Sequence, residues 1–118
     1  MRATNPEKLQ SKLVERVLKG QQKIDASPFR LWYLKNDQPI SRLIFIISSS
    51  KVPRAVVRNK IRRIGKEVFR ERKNFLGPLD LVIGVREKSL KQIQKAEIWE
   101  AMRKIFGLLE AKTKLKTL

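Results

Sequence analysis

The run Lys51-Val52-Pro53-Arg54-Ala55-Val56-Val57-Arg58-Asn59-Lys60-Ile61-Arg62-Arg63-Ile64-Gly65-Lys66-Glu67-Val68-Phe69-Arg70 decides how this chain is read. An advance of about 100° per residue from Val57 gathers Val57, Ile61, Ile64 and Val68 into one narrow arc, the stripe of a helix lying on a core. Opposite them fall Arg58, Asn59, Arg62, Arg63, Lys66, Arg70 and Lys73, and the acids of the segment, Glu67 and Glu71, fall on a flank. The spacing predicts a helix from Val56 to about Lys73. A solvated helix face ordinarily alternates Glu with Lys at i,i+4, because opposite charges help there and like charges cost. This face crowds like charges, which makes sense against an external anion. Arg offers a planar fork of donors matched to phosphate oxygens, and Asn59 adds a neutral group able to address a base edge or a 2′-hydroxyl. The segment reads as a nucleic-acid-binding helix.

Working outward, residues 43–47 (Leu-Ile-Phe-Ile-Ile) form a continuous apolar run, a buried strand ending in Ser48-Ser49-Ser50. Residues 81–85 are a second such strand, reached through the Gly77-Pro78 break. Residues 29–34 have strand composition, with Phe29, Leu31 and Tyr33 on one face and Arg30, Trp32 and Leu34 on the other. A turn at residues 35–39 leads from this strand to residues 43–47, and so short a connection predicts an antiparallel hairpin between them. At the N-terminal end Asn5-Pro6-Glu7 reads as a cap, a first helical residue and an acid in the first turn. That helix, with Leu9, Leu13 and Val17 at intervals of four, is expected over Pro6–Lys19, with Gly20 as its stop. Ile98, Met102, Ile105 and Leu109 mark a closing helix that Trp99 and Phe106 help to seat, and Lys112 onward reads as a frayed basic tail. The order helix, strand, strand, helix, strand, helix gives an α+β class. One domain spans 1–118, its core about 6–110 and its basic tail 111–118.

Composition sets the bounds. The 118 residues suit one domain, and 42% apolar residues are enough to build a core. A net charge of +17 repels itself in the compact state, so a polyanion would relieve it. There is no Cys, hence no disulfide or thiolate metal site, and no His, the commonest general base. The first ten residues lack the apolar run of a signal peptide, which makes a cytoplasmic protein the expectation.

The central run resembles the signature of the bacterial ribonuclease P protein component. Its elements are Arg58-Asn59 after Ala-Val, the basic pair Arg62-Arg63, the pair Lys66-Glu67, and Arg70. The flanks are similar too: a first helix ending at Gly20, the aromatic strand from Phe29, Arg42 opening the next strand, and a closing helix. The likeness covers roughly residues 9–109. It implies a compact two-layer domain, helices on a small mixed sheet in the order α-β-β-β-α-β-α, with a left-handed βαβ crossover around the basic helix. It also implies a holoenzyme whose RNA subunit removes the 5′ leader of precursor tRNA, with magnesium needed by the holoenzyme and no cofactor held by the protein. By resemblance, Arg58, Asn59, Lys60, Arg62, Arg63, Lys66 and Arg70 contact RNA, Lys51 and Arg54 belong to a basic approach loop, and Leu13, Val17, Phe29 and Trp32 line a cleft for the leader. Of the last group Phe29 is favoured as core and Trp32 as the cleft residue. The chain departs from the pattern at Ser50, where a Lys is usual, and at Pro53, where a Gly is usual. Leu13 and Val17 stand in the first helix where a Phe is often found, and Gly65 sits mid-helix at a cost of up to about 1 kcal/mol against Ala.

No catalytic residue is expected in the chain itself. The acids are scattered, no Gly-rich phosphate loop is present, and solvent exposure is the expectation for single acids such as Asp37 and Asp80. The alternative function is that of a ribosomal or other rRNA-binding structural protein. A helix-turn-helix DNA regulator is disfavoured because strand-like residues 43–47, not a short helix, precede the basic helix. A membrane-surface role is disfavoured because the apolar stripes are those of a packed domain.

Overall fold

The computed structural model describes residues 6–86 and 90–117, with side chains over 10–86 and 90–114. The Asn5 cap and the Leu9 side chain lie outside that range. Helix α1 (Pro6–Lys19) has the expected bounds and stops at Gly20, whose amide donates to the Arg16 and Val17 carbonyls. Strands β1 (Lys23–Ala26), β2 (Phe29–Lys35) and β3 (Arg42–Ile46) follow, then α2 (Ala55–Arg72), a 3-10 turn (Lys73–Phe75), β4 (Leu79–Val85) and α3 (Lys95–Thr117). This is the order α-β-β-β-α-β-α. β1 is the strand that composition did not signal: four residues long, with Ile24 and Ala26 buried and Lys23 and Asp25 exposed. The basic tail is corrected as well, since α3 continues past Lys112 to Thr117.

The sheet order is β1-β2-β4-β3, with β3 parallel to β4 and the other pairs antiparallel. The expected hairpin of β2 with β3 is therefore absent, because β4 lies between them. β4 is the strand buried at every position, Leu79 to Val85, and such a strand must be covered on both faces and flanked on both edges. Residues 36–41 carry the chain around the start of β4. They are pinned there by Asn36 N–H on the Pro78 carbonyl, Ser41 Oγ–H on the Gly77 carbonyl, and Leu79 N–H on Ser41 Oγ. β2 itself pairs with β1 across the tight turn at Ser27-Pro28.

The side chains of the sheet divide by parity. Phe29, Leu31 and Tyr33 of β2 and Leu81, Ile83 and Val85 of β4 join Val57, Ile61, Ile64 and Val68 of α2 and Ile98, Met102, Ile105, Phe106 and Leu109 of α3 in the main core. Trp99 packs at its edge, as expected of a seating residue. α1 lies against β2 and β4 from the other side, so a partial third layer is added to the sheet-and-helices stack. Gly65 is explained here. A Cβ at that position would stand 2.5 Å from Cζ of Phe45, whose ring approaches the helix backbone directly.

Candidate nucleic-acid interface

α2 presents its cations as the helical wheel predicted. Val57, Ile61, Ile64, Gly65 and Val68 are buried, while Asn59, Arg63, Lys66 and Arg70 are exposed or partly so and Arg58, Lys60 and Arg62 half-buried. Among the described residues, no carboxylate lies within pairing distance of Arg58, Lys60, Arg62, Arg63 or Lys66; Arg70 alone of this set pairs, with Glu67 at 3.2 Å. Both partners of that pair are largely exposed, so it contributes little. Arg62 Nη1 donates to Asn59 Oδ1 at 3.4 Å, which aligns the two side chains along the outer face. Lys60 falls on the same flank of the helical wheel as Glu67, two turns away, rather than at the centre of the cationic face.

Arg58 has a second task. Its Nη1 donates to the carbonyls of Val52 (2.7 Å) and Pro53 (3.0 Å), tying the approach loop to the first turn of α2. In the same loop Lys51 Nζ donates to the Val85 carbonyl at 3.0 Å, and exposed Arg54 takes the N-cap position with extended backbone and no side-chain cap. The Arg54 carbonyl accepts from the Val57 and Arg58 amides at 3.0 and 3.1 Å, so the first turn of α2 is closed by backbone alone.

Of the four cleft candidates the structure exposes two. Val17 and Phe29 are fully buried and leave the surface, since Val17 lies within the contact of α1 on the sheet and Phe29 within the main core. Leu13 and Trp32 are half-buried and open to solvent. Trp32 stands over Gly84, where a Cβ would come within 3.1 Å of its Cζ3, and helps line an open recess of about 420 Å³ with Ile46, Ser48 and Lys51. The Arg30 guanidinium lies 5.8 Å from the Trp32 ring centre and is held by a two-pronged bond to Asp25. That bond, opposed by burial, keeps the Asp25 carboxyl below its usual pKa. Ile46 and Gly84 were missed in the sequence, although a glycine inside a strand is a readable mark of close approach.

Leu13 lines a second recess, of about 330 Å³, with Gln10, Lys12, Arg16 and Arg42. Beneath it is Asp80, which corrects the expectation of an exposed acid: its side chain is 0% exposed. Its Oδ1 accepts from Arg42 Nε (2.7 Å) and Asn36 Nδ2 (2.9 Å), and its Oδ2 accepts from Arg42 Nη2 (2.9 Å) and Arg16 Nη2 (2.5 Å). Burial pushes the Asp80 carboxyl up, but the hydrogen bonds from Arg42, Asn36 and Arg16, with the Arg42 charge, outweigh it and hold the group below its ordinary value. Arg42, Ile44 and Ile46 share one face of β3, so the two recesses are ends of one strip about 13 Å long. Asp37 and Asp80 do not form a metal cluster; among the described residues no three acids, His or Cys converge.

A small α+β domain with a cationic helix, unpaired from Arg58 to Lys66, on one side of its sheet and an aromatic, arginine-rimmed strip on the other is an RNA-binding protein in class. The chain belongs to the ribonuclease P protein family: the family profile described as Ribonuclease P matches residues 7–110. Among curated relatives, the Ribonuclease P protein component of Coxiella burnetii is 35% identical over 84% of this chain and 81% of its own length. That of Thermotoga maritima is 29% identical, over 70% of each. Among solved structures, the RNase P protein of Staphylococcus aureus superposes with a TM-score of 0.71 at 22% identity, covering 95% of both chains. The Thermotoga maritima RNase P protein, solved with 1-(4-fluorophenyl)-2-thiourea, gives 0.67 at 24% identity, over 85% of this chain and 94% of that one. Between a ribonuclease P subunit and the ribosomal alternative, the family match decides for the former. Membership brings with it an RNA partner, the ribonuclease P RNA, and an endoribonuclease holoenzyme that processes tRNA. No helix among the described residues is long and apolar enough to cross a membrane.

Proposed function

We propose that the outer face of α2 and the loop from Lys51 to Arg54 dock on the ribonuclease P RNA, and that the Trp32 recess receives the single-stranded 5′ leader of precursor tRNA. The chain then assists endonucleolytic removal of the leader, the bond-breaking step and its magnesium belonging to the RNA, in a cytoplasmic ribonucleoprotein. The observation that carries this reading is the cationic face itself: Arg58, Lys60, Arg62, Arg63 and Lys66 have no carboxylate partner among the described residues. Phosphates are the natural complement to such a face, because each phosphate neutralised releases condensed counterions. The recess supports the leader assignment on separate grounds. A base stacked on an aromatic side chain gains about 1–3 kcal/mol irrespective of sequence, which suits a strand whose sequence varies.

Reconstitution tests it. The protein is added to a bacterial ribonuclease P RNA and precursor-tRNA cleavage is followed at physiological magnesium, with affinity measured from low to high salt. Arg62→Ala with Arg63→Ala is expected to weaken holoenzyme assembly and to lower the slope of log affinity against log salt by roughly 0.7–0.9 for each phosphate no longer neutralised. An unchanged slope would mean that the helix does not face phosphates. Trp32→Ala is expected to weaken binding of leader-bearing substrate and to leave mature tRNA binding as it was.

A further inference from the structure

The Asp80 cluster contains more cation than a buried carboxylate needs. Arg42 meets Asp80 side-on with two hydrogen bonds, and Asn36 adds a third. That set already balances the charge and fills most of the acceptor sites. Arg16 then arrives from α1 and donates a single bond to Oδ2, its side chain still 53% exposed. Arg42 is 40% exposed. A guanidinium has five N–H donors, so Arg16 keeps four and Arg42 three beyond their bonds to Asp80. Both line the recess beside Leu13, together with Lys12. Glu15, the acid next to Arg16 in the chain, is taken up by Lys19 at 3.1 Å. Asp37 adds only a weak field at Arg42. The recess therefore holds a surplus of positive charge on forks whose orientation is fixed from below, so less side-chain freedom is lost when an anion docks.

We propose that this recess is a phosphate receptor, in which Asp80 is a positioning residue that presents Arg16 and Arg42 together to a backbone phosphate of the leader strand, at the α1 end of the strip that begins under Trp32. The proposal rests on the leader reading above and extends it. Trp32 takes a base at one end and the arginine pair a phosphodiester at the other, with Ile44 on the floor between them.

The test uses the reconstituted holoenzyme with two probes, a precursor tRNA bearing a multi-nucleotide leader and the mature tRNA. Arg16→Gln is the main variant, because Asp80 keeps Arg42 and Asn36 and the fold keeps its buried pair. It is expected to lower the salt slope for the leader-bearing probe by roughly 0.7, so that affinity falls about 2.6-fold less between 50 and 200 mM salt, and to leave the mature tRNA unaffected. Asp80→Asn should give the same leader-specific change while RNA-subunit affinity, carried by α2 across the sheet, stays at the parental value. A purely structural cluster would lower thermal stability without moving the slope, and that result overturns the proposal, as does an equal loss on both probes. If the parental holoenzyme itself shows no preference for the leader-bearing probe, the leader reading fails and this one with it. A parental preference that survives Arg16→Gln at full slope removes this proposal alone.

Discussion

Gly65→Ala sets two effects of opposite sign against each other. In an exposed helix interior the change stabilises by up to about 1 kcal/mol, because Ala restricts the unfolded chain and shields the backbone. At this position the new methyl would lie 2.5 Å from Cζ and 2.7 Å from Cε1 of Phe45, about 1 Å inside ordinary van der Waals separation, with Met102 Cε at 3.3 Å. The Met102 methyl can swing away, but the Phe45 ring cannot do so as easily. It has two rotatable bonds and stands on β3 in register with Ile83, so yielding means tilting the ring or displacing the strand. Overpacking of this kind costs about 1–3 kcal/mol, which exceeds the propensity gain. The expected net loss is about 1–2 kcal/mol, and each kcal/mol lowers Tm by about 4–8 °C in a domain of roughly this size. Thermal unfolding by circular dichroism measures it. Phe45→Leu in the same background should recover part of the loss, giving a favourable coupling in a double-mutant cycle. A Tm at or above the parent for Gly65→Ala would refute the steric argument and leave propensity in control.

Two further outcomes are expected. Asp80 has a folded pKa below its ordinary 3.8, so its contribution to stability is present above that value and is lost as pH falls through the lowered one. Asp80→Asn should cost about 1–3 kcal/mol near pH 7, toward the low end because both arginines are solvent-screened, and the gap to the parent should close in melts below pH 3.8. A gap that stays constant across that range contradicts the assignment. Separately, sulfate should raise the Tm of the isolated protein above that in chloride of equal ionic strength, since an anion bound to the folded cationic face stabilises by mass action, about 2.7 kcal/mol at a hundred times its dissociation constant. Coincident melting curves in the two salts would dispose of that idea.

The sequence made the local elements legible and left the pairing hidden. The stripe of Val57, Ile61, Ile64 and Val68 locates α2 because a helix face is a local periodicity, and the same holds for α1 and α3. The strand pairing depends on which apolar run is buried on both faces, a property of the whole packing. Residues 29–35 and 42–46 look adjacent in the sequence and are separated by β4 in the sheet. In the candidate site the cationic face is readable for the same periodic reason. Asp80 is not, because a lone acid before an apolar run carries no mark of the arginines that α1 and β3 bring to it. Val17 shows the converse: resemblance nominates it for a cleft and packing takes it out of solvent, whereas Phe29 lies in the core, as favoured for it from the sequence.

The placement of β4 between β2 and β3 has a consequence for how the chain reaches its native state. Both flanking strands precede β4 in the sequence, and α2 must fold back before β4 can slot between them. Until then two apolar sheet borders stand open, the kind of edge through which unfinished molecules zip onto one another. A charge of +17 on every copy keeps such half-built neighbours apart. The same lysines and arginines that suit the protein to RNA thus also guard its assembly from aggregation.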